Sequence, residues 1–348
     1  MTNLIENLDI TKIKQIISEI LNVEIMHMDL TAEPLSGGTV ASVVKLMTTS
    51  LTTDGQRIDF PLVVKTQKKW ERFNDPDCWR REYDLLSSSL ADYFPAEFRW
   101  PKCYDASINE QENEICLIME YIDGPCGKEL DRFALEKAAR NLGMFHGKTH
   151  MNKEALSKEL TNLSSNDYMK NFYHRYRSWP VVFDAIRNAE CQIPRPLCEM
   201  LIEFDHKSQT FFEHIASLPV VLCHRDYWIA NIFLREGKIF AIDWDTAGWG
   251  YLGEDIASLI ADEADVDHMA ENFDLIVSSY LEGFTHYVPL ESFDPAIIID
   301  MILAMYGYRI VEWYLFAETD EQKHLQIQAL KQIAEIKKRI TVKCPLSD

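Results

Sequence analysis

The sequence contains no long apolar run and begins without a basic, apolar leader. None of its apolar runs approaches the roughly 20 residues that a membrane-spanning helix needs. The opening residues MTNLIENLD have neither the basic start nor the apolar core of a signal peptide. With 47% hydrophobic and 26% charged residues, the 348-residue chain is expected to be a soluble, cytoplasmic, globular protein without a membrane partner.

Positive charge and paired cysteines are also scarce. Lysine and arginine number 35 against 55 aspartates and glutamates, which gives a net charge of −20. Nucleic acids and anionic lipids bind basic surfaces, so this balance argues against either as a partner. The eight cysteines are scattered, and none lies in a C-x-x-C spacing. This usage is typical of a reducing compartment and predicts neither a zinc site nor a disulfide framework.

Apolar periodicity predicts an α+β chain that begins mainly with strands and ends mainly with helices. Strands are expected over residues 24–66, 101–106, 114–121, 220–223, 232–234 and 238–242. Helices are expected over residues 9–21, 77–92, 133–150, 165–188, 195–217, 268–286, 294–318 and 321–340.

The clearest chemical pattern follows two neighbouring strands. One strand ends at His224-Arg225-Asp226, with Asn231 shortly after it, and the next hairpin ends at Asp243. Phosphoryl transfer from a nucleotide needs a carboxylate that orients the acceptor hydroxyl and oxygen ligands that hold magnesium. Single acids after strands are common as polar caps, but this complete set is rare. We predict that Asp226 is the base and that Asn231 and Asp243 hold Mg²⁺.

These motifs resemble those of the protein-kinase-like superfamily. The letters H-R-D-x-x-x-x-N from residue 224 match its catalytic loop, and I-D-W-D from residue 242 is similar to the I-D-W-[DE] motif of the aminoglycoside phosphotransferase and choline kinase branch. The resemblance implies a two-lobed protein-kinase-like fold that binds ATP or GTP with Mg²⁺ between its lobes. Residues 1–121 would form the nucleotide-binding lobe with an antiparallel sheet, and residues 122–348 a helical lobe with the catalytic loop and acceptor site.

A lysine at the end of an early strand extends the resemblance. Lys65 follows the apolar letters P-L-V-V, as the β3 lysine of the superfamily does, where it pairs with nucleotide phosphates and a helix glutamate. Glu82 is the expected partner, and Glu71 is a competitor. The alternative for Glu82 is a solvated carboxylate paired with Arg80 or Arg81.

A glycine-containing turn precedes that strand. The residues Ser36, Gly37, Gly38 and Thr39 lie between two predicted strands, where backbone amides can approach phosphates. A plain hairpin turn would explain the glycine pair equally well. The turn is therefore a candidate phosphate contact because of its position ahead of Lys65.

The strand that ends near residue 121 resembles the hinge between the lobes of the family. In that family adenine is bound by backbone groups of the hinge. The resemblance therefore implies that Glu120 C=O and Ile122 N–H are the contacts and that Met119 forms the back wall of the pocket.

One acidic block lacks any lysine or arginine. Residues 239–308 hold fourteen acids, and we expect most of them to be uncompensated, apart from Asp243 and an Asp255 that braces the catalytic loop. A solvated acidic face would explain the block, but a cleft of one sign also concentrates substrates of the opposite charge. We predict a cationic acceptor that is held near Asp245, Asp262 and Glu263.

The sequence therefore predicts a small-molecule kinase that transfers the γ-phosphate of ATP or GTP to a hydroxyl of an aminoglycoside-like antibiotic or a choline-like amine. A catalytically silent binding protein should lack the base, a metal ligand or the lysine, and none is missing. A protein kinase is disfavoured because no long activation segment separates Asp243 from the helix at Glu254. The acceptor, the nucleotide preference, the oligomeric state, the role of Arg225 and the choice between antibiotic resistance and metabolism stay open.

Overall fold

The computed structural model describes residues 9–35, 40–72, 75–188, 192–262 and 266–343. The chain divides into two compact units. The first unit contains Met1–Ser89 and Trp100–Asp123, and the second contains Leu90–Arg99 and Gly124–Asp348. The predicted α+β class is confirmed, with a sheet in the first unit and mainly helices in the second. Among the described residues, no helix is both long and apolar enough to span a bilayer.

The first unit is built on a five-stranded antiparallel sheet. Its elements are α1 (Ile10–Leu21), β1 (Ile25–Pro34), β2 (Ser42–Thr52), β3 (Arg57–Lys68), α2 (Arg81–Leu86) and, after the two-residue β4 (Phe98–Arg99) of the second unit, β5 (Cys103–Asn109) and β6 (Glu114–Glu120). The strand order is β1-β2-β3-β6-β5. The strands predicted for this part of the chain are therefore all present.

The alternation of side chains along β3 builds the core on one face of this sheet. Leu62 and Val64 share an apolar cluster with Ile13 and Ile17 of α1. Asp9 caps α1 by accepting a hydrogen bond from the Lys12 amide. The helix predicted from the opening residues is confirmed, and it covers one face of the sheet.

The helix predicted over residues 77–92 is interrupted. The structure has only α2 there, with a short 3₁₀ turn on either side. Ser87 Oγ donates to Tyr83 O over 2.8 Å, and Ser88 Oγ donates to Leu85 O over 2.6 Å. Serine hydroxyls that bond to nearby carbonyls compete with the helical backbone pattern, so α2 ends where these serines begin.

The second unit holds most of the helices and two small sheets. Its further elements are α3 (Arg132–Met151), α4 (Lys153–Glu159), α5 (Tyr168–Arg177), α6 (Pro180–Arg187), α7 (Arg195–Ile215), β7 (Val220–Cys223), β8 (Ile232–Arg235), β9 (Lys238–Ala241), β10 (Gly248–Tyr251), α8 (Glu254–Ala261), α9 (Met269–Thr285), α10 (Ala296–Ile302), α11 (Tyr308–Phe316) and α12 (Asp320–Lys343). β7 pairs with β10, and β9 lies between β4 and β8. These strands carry the polar loops that the sequence singled out.

Two of the predicted long helices are divided in this unit. α5 and α6 are separated at Trp179, whose ψ of 117° is extended, because the ring of the following proline disfavours the helical conformation. Pro180 then starts α6 as its first residue, where proline is tolerated. A π-helical turn, Leu303–Gly307, joins α10 to α11.

The crossing of α3 and α9 depends on a glycine. Any Cβ at Gly143 would overlap the carbonyl oxygen of Tyr280, so only glycine permits this approach. The same crossing brings His146 Nδ1 to 2.7 Å from the Tyr280 hydroxyl. A buried polar contact therefore joins the two helices at this crossing.

Candidate active site

The side chain of Asn231 fixes the predicted base. Its Nδ2 donates to Asp226 Oδ2 over 2.8 Å and to Asp226 O over 2.9 Å. Its backbone carbonyl accepts from the Ile242 amide over 3.0 Å, which joins the loop to the β8–β9 hairpin. Because the amide donors of Asn231 point to Asp226, its Oδ1 is the atom available to a cation.

Asp255, at the start of α8, braces the backbone of the catalytic loop as expected. Its two carboxylate oxygens accept from the amides of His224 and Arg225, each over 2.7 Å. His146 Nε2 lies 3.3 Å from Asp255 Oδ2. Burial alone would raise the pKa of Asp255, but the contact with His146 and the hydrogen bonds from the loop outweigh it and lower the pKa. The brace is therefore a carboxylate that stays charged although it is fully buried.

The imidazole of His224 links the loop to the hairpin. Its Nδ1 accepts from the Asp226 amide over 3.3 Å, and its Nε2 therefore donates to Ile242 O over 2.9 Å. Burial lowers the pKa of His224, so the neutral ring with its proton on Nε2 is the form that these two partners require. Trp244 packs against the ring at 4.4 Å between centroids, which holds its orientation.

The guanidinium of Arg225 is buried among fixed partners. Arg225 Nε donates to Glu254 Oε1 over 2.9 Å, Nη1 to Ser164 Oγ over 2.6 Å and Nη2 to Trp249 O over 2.6 Å. A Cβ at Gly248 would lie only 2.5 Å from Arg225 Nη1, so this glycine makes room for the side chain. The role left open by the sequence is now clear: Arg225 meets a carboxylate of its own chain and ties the base to β10 and α8.

Several carboxylates surround the predicted base. Burial, together with the charges of Asp243, Asp262 and Asp245, raises the pKa of Asp226 to about 7, against the hydrogen bond from Asn231. The structure therefore brings Asp226 into electrostatic contact with Asp243, Asp245 and Asp262. Asn231 Oδ1 and the Asp243 carboxylate are hard oxygen donors in a region of excess negative charge, and they fit a magnesium ion.

The predicted pair of Lys65 and Glu82 is present in the first unit. Lys65 Nζ lies 2.6 Å from Glu82 Oε2, and both side chains are 8% exposed. Arg81 bonds instead to Asp75, and Arg80 also pairs elsewhere, so the alternative of a solvated Glu82 is wrong. A lysine that is buried against one carboxylate is held in a single orientation, as a phosphate ligand must be.

The remaining nucleotide candidates are only partly described. Met119 is buried in β6, and the Glu120 carboxylate accepts from the Lys102 amide over 3.0 Å. Ile122 is also buried, and its N–H makes no hydrogen bond within the described part of the chain. The predicted glycine turn at residues 36–39 and the predicted acceptor contact Glu263 lie outside the described residues.

The expectation that most acids of residues 239–308 are uncompensated is wrong for four of them. These acids pair with basic residues from outside the block: Glu254 with Arg225 at 2.9 Å, Asp262 with Arg309 at 3.5 Å, Glu282 with Arg140 at 3.1 Å and Asp300 with Lys207 at 2.8 Å. The count of acids therefore overstates the negative charge of this region. The prediction of a cationic acceptor therefore depends on the local group of carboxylates around Asp226.

Three residues that the structure places at the site were not among the predicted site residues. Ser164 and His146 come from distant segments, and no local pattern marks them as partners of the catalytic loop. Arg309 did leave a signal, because it is the first lysine or arginine after Lys238. The first cationic side chain after an acidic block without lysine or arginine can be expected to form an ion pair with one of the acids in that block.

These contacts are those that a nucleotide-dependent phosphotransferase needs in its catalytic loop: a held base, oxygen donors for a metal and a braced backbone. The sequence pattern of the phosphotransferase enzyme family (APH) matches residues 31–283, so the chain belongs to this family. It is therefore a phosphotransferase. A comparison with curated proteins found no matching sequence.

Solved structures confirm the predicted kinase-like fold. Choline kinase from Cryptosporidium parvum Iowa II shares 13% identity over 91% of this chain and 90% of its own, with a TM-score of 0.55. Amicoumacin kinase in complex with AMP-PNP and Ca²⁺ shares 13% over 96% of both chains, with a TM-score of 0.56. A microcompartment-associated aminopropanol kinase shares 13% over 96% of this chain and 98% of its own, with a TM-score of 0.57.

Proposed function

We propose that the protein transfers the γ-phosphoryl group of ATP or GTP to a hydroxyl group of a small amine. The observation that carries the proposal is the fixed geometry of Asp226. Its carboxylate is held by Asn231, and the backbone on its N-terminal side is held by Asp255. A base with so little freedom is pre-organised for one acceptor hydroxyl, and positioning supplies much of the catalysis in phosphoryl transfer.

The chemistry of the step follows from these groups. Asp226 accepts the proton of the acceptor hydroxyl as the hydroxyl oxygen forms its bond to the γ-phosphorus. The bond between that phosphorus and the β,γ-bridging oxygen breaks, and the nucleoside diphosphate leaves. Lys65, held by Glu82, contacts the phosphates. Asn231 and Asp243 would hold Mg²⁺, which would supply charge neutralisation of the phosphates.

The nucleotide base and its phosphates have further candidate contacts. In this proposal Ile122 N–H and Glu120 C=O bind the purine, and Met119 packs against it. The turn at residues 36–39 supplies amides to the phosphates. Among the described residues, the amide of the buried Ile122 has no partner, and this supports the first assignment, since a buried donor gains from a ligand acceptor.

An amine in the acceptor is supported by the charge around the base. Asp243, Asp245 and Asp262 all act on Asp226 electrostatically, and a nearby ammonium group would offset them. The relatives named choline kinase and aminopropanol kinase carry the names of amino alcohols. An amino alcohol is the smallest acceptor that supplies both a hydroxyl and a cation.

The direct test is detection of the product. Purified protein is incubated with Mg²⁺, ATP or GTP, and either ethanolamine or 3-aminopropanol, and phosphorus NMR follows the reaction. We expect a phosphomonoester resonance to appear together with the nucleoside diphosphate. Ethylamine and propylamine, which lack the hydroxyl, are matched controls and should give none. Nucleotide hydrolysis to inorganic phosphate alone, with every amino alcohol tried, would contradict the proposal.

A further inference from the structure

Arg309 places a positive charge in an aromatic setting on α11. Its guanidinium carbon lies 4.6 Å from the Trp313 ring centroid, 5.5 Å from that of Phe172 and 5.9 Å from that of Tyr306. The side chain is only 27% exposed. Aromatic faces on several sides favour a cation and restrict its movement, so the guanidinium is held in one place.

Within the described part of the chain, Arg309 uses only one edge of its guanidinium. Arg309 Nη1 contacts Asp262 Oδ2 at 3.5 Å, which is the limit of a hydrogen bond. Among the residues that the structure describes, neither Nε nor Nη2 of Arg309 donates to a protein acceptor. A guanidinium offers its donors as a planar fork that matches the two oxygens of a carboxylate. The remaining donors can therefore bind an anionic group of a ligand.

Helix α5 lies between Arg309 and the catalytic loop and contacts both. On α5, Phe172 packs against Arg309, and Tyr168, one turn earlier, lies under Arg225 at 4.8 Å from ring centroid to guanidinium carbon. Arg225 directly precedes the base. Asp262, the partner of Arg309, also acts electrostatically on Asp226. Arg309 and Asp262 therefore form a pair of opposite charges whose acidic member lies within electrostatic reach of Asp226.

We infer that Arg309 binds a carboxylate of the acceptor and that the acceptor is a zwitterion, a small hydroxylated amino acid. This inference rests on the proposed function and narrows its substrate class. The ammonium group of such a molecule faces Asp262 and Asp245, its carboxylate faces the open edge of Arg309, and its hydroxyl faces Asp226. A pair of opposite charges binds a ligand with both charges better than it binds a simple cation, because Arg309 repels the latter.

The experiment compares matched acceptors that differ by one carboxylate. Serine is ethanolamine with a carboxylate, and homoserine is 3-aminopropanol with a carboxylate. In the wild type we expect kcat/KM to be about 10-fold to 100-fold higher for the carboxylated member of each pair, since the fork makes charge-assisted hydrogen bonds. Arg309→Gln should abolish this preference by lowering kcat/KM for the carboxylated member of each pair much more than for the simple amine. Arg309→Lys, which keeps the charge but not the fork, should restore part of it.

Lys207→Gln is the control variant. Lys207 is another positive charge of the second unit, and it pairs with Asp300 of the same acidic block. The variant therefore tests whether loss of any cation abolishes the preference for carboxylated acceptors. We expect the carboxylate preference to survive in this variant. Equal loss of turnover for both members of each pair in Arg309→Gln, or a wild type that prefers the simple amines, would overturn the inference while leaving the proposed function intact.

A binding measurement separates the inference from the transfer reaction. Trp313 stacks near Arg309, so its fluorescence should respond when a carboxylate binds. Titration of the AMP-PNP-bound protein with serine or 3-hydroxypropionate should give a saturable change in the wild type that is absent in Arg309→Gln. Saturation without any phosphoryl transfer would uphold the carboxylate site and count against the proposed function. No saturable response to either probe, with no transfer to serine or homoserine, would overturn the inference.

Discussion

Arg225 adopts a left-handed backbone conformation, with φ of 68°, and its side chain is fully buried. Glycine accepts this φ without strain, so Arg225→Gly removes the side chain and leaves the loop path available. Without the contacts to Glu254 and β10 the loop should hold Asp226 less firmly. We expect kcat to fall up to about 100-fold, since misplacement by about 1 Å has that effect. Steady-state kinetics should show little change in the KM for nucleotide.

In Arg225→Gly, a lower stability of the fold must be distinguished from poorer positioning of Asp226. Arg225→Gly leaves the buried Glu254 without its partner, and removing one member of a buried ion pair destabilises a protein by about 3–5 kcal/mol. The double variant Arg225→Gly, Glu254→Gln removes both charges and should recover part of the free energy of unfolding in urea. If kcat recovers together with stability, Arg225 does not position the base.

Asp243 also has positive φ, at 67°, and it is one of the two predicted magnesium ligands. Asparagine tolerates this conformation better than alanine does, so Asp243→Asn is the cleaner substitution. We expect the affinity for AMP-PNP in the presence of Mg²⁺ to fall at least about 10-fold, because a charged oxygen ligand is lost. Calorimetry with and without Mg²⁺ checks this. An unchanged affinity for the magnesium complex would exclude Asp243 as a ligand.

The residues of the catalytic loop were predictable because their spacing is local, whereas their supports were not. Asp226 and Asn231 lie within one short motif, and Lys65 ends an apolar strand. Ion pairs such as Asp262 with Arg309 join segments far apart in the chain, so only the folded structure reveals them. The cationic-acceptor argument failed in part for this reason, since it counted acids without their distant partners.

Asp205 of α7 holds three helices together. Its Oδ1 accepts from Tyr173 OH over 2.5 Å and from Arg177 Nε over 2.8 Å on α5, and its Oδ2 accepts from Arg187 Nη2 over 2.8 Å on α6. Asp205→Asn keeps the shape but weakens these charge-assisted bonds. We expect the free energy of unfolding in urea to fall by about 2 kcal/mol. Glu203→Gln, on the exposed face of the same helix, is the control and should change stability little.

The pH dependence of this effect follows from the pKa of Asp205. Burial would raise that pKa, but the hydrogen bonds from Arg177 and Tyr173 outweigh burial and lower it from 3.8. A carboxyl with a lowered folded pKa stabilises the protein above its unfolded pKa and loses this contribution as the pH falls through the folded value. The difference between wild type and Asp205→Asn should therefore shrink below pH 3.8. A difference that stays constant in acid would show that packing, not charge, causes it.

The positions of helices were predicted better than their continuity. Apolar spacing located α1, α3, α7 and α9, but it joined α5 to α6 across Trp179 and extended α2 through Ser87 and Ser88. Pro180 marks this break in the sequence, because a residue before proline rarely continues a helix. Apolar spacing alone does not take proline into account. The effect of the serines depends on which carbonyls their hydroxyls reach, and apolar periodicity does not contain that information.

The two units of the molecule each carry a complete local part of the chemistry. The first unit pairs Lys65 with Glu82, and the second holds the predicted base, the predicted metal donors and their supports. Residues 90–99, which the sequence grouped with the first unit, pack in the second because β4 pairs with β9. Local motifs pointed to both groups of side chains. The assignment of residues 90–99 to the second unit could not be predicted in this way, because it depends on a strand pairing between distant residues.

The account as a whole depends on Asp226 acting as the base in transfer to a hydroxyl. The most direct measurement is single-turnover transfer of phosphate from Mg²⁺–ATP to the best acceptor by wild type and Asp226→Asn, with AMP-PNP affinity measured on both proteins. General base catalysis contributes about 10²-fold to 10⁴-fold, so we expect the transfer rate to fall by that factor while nucleotide affinity is largely retained. A variant that transfers phosphate at a rate close to that of the wild type would contradict the account.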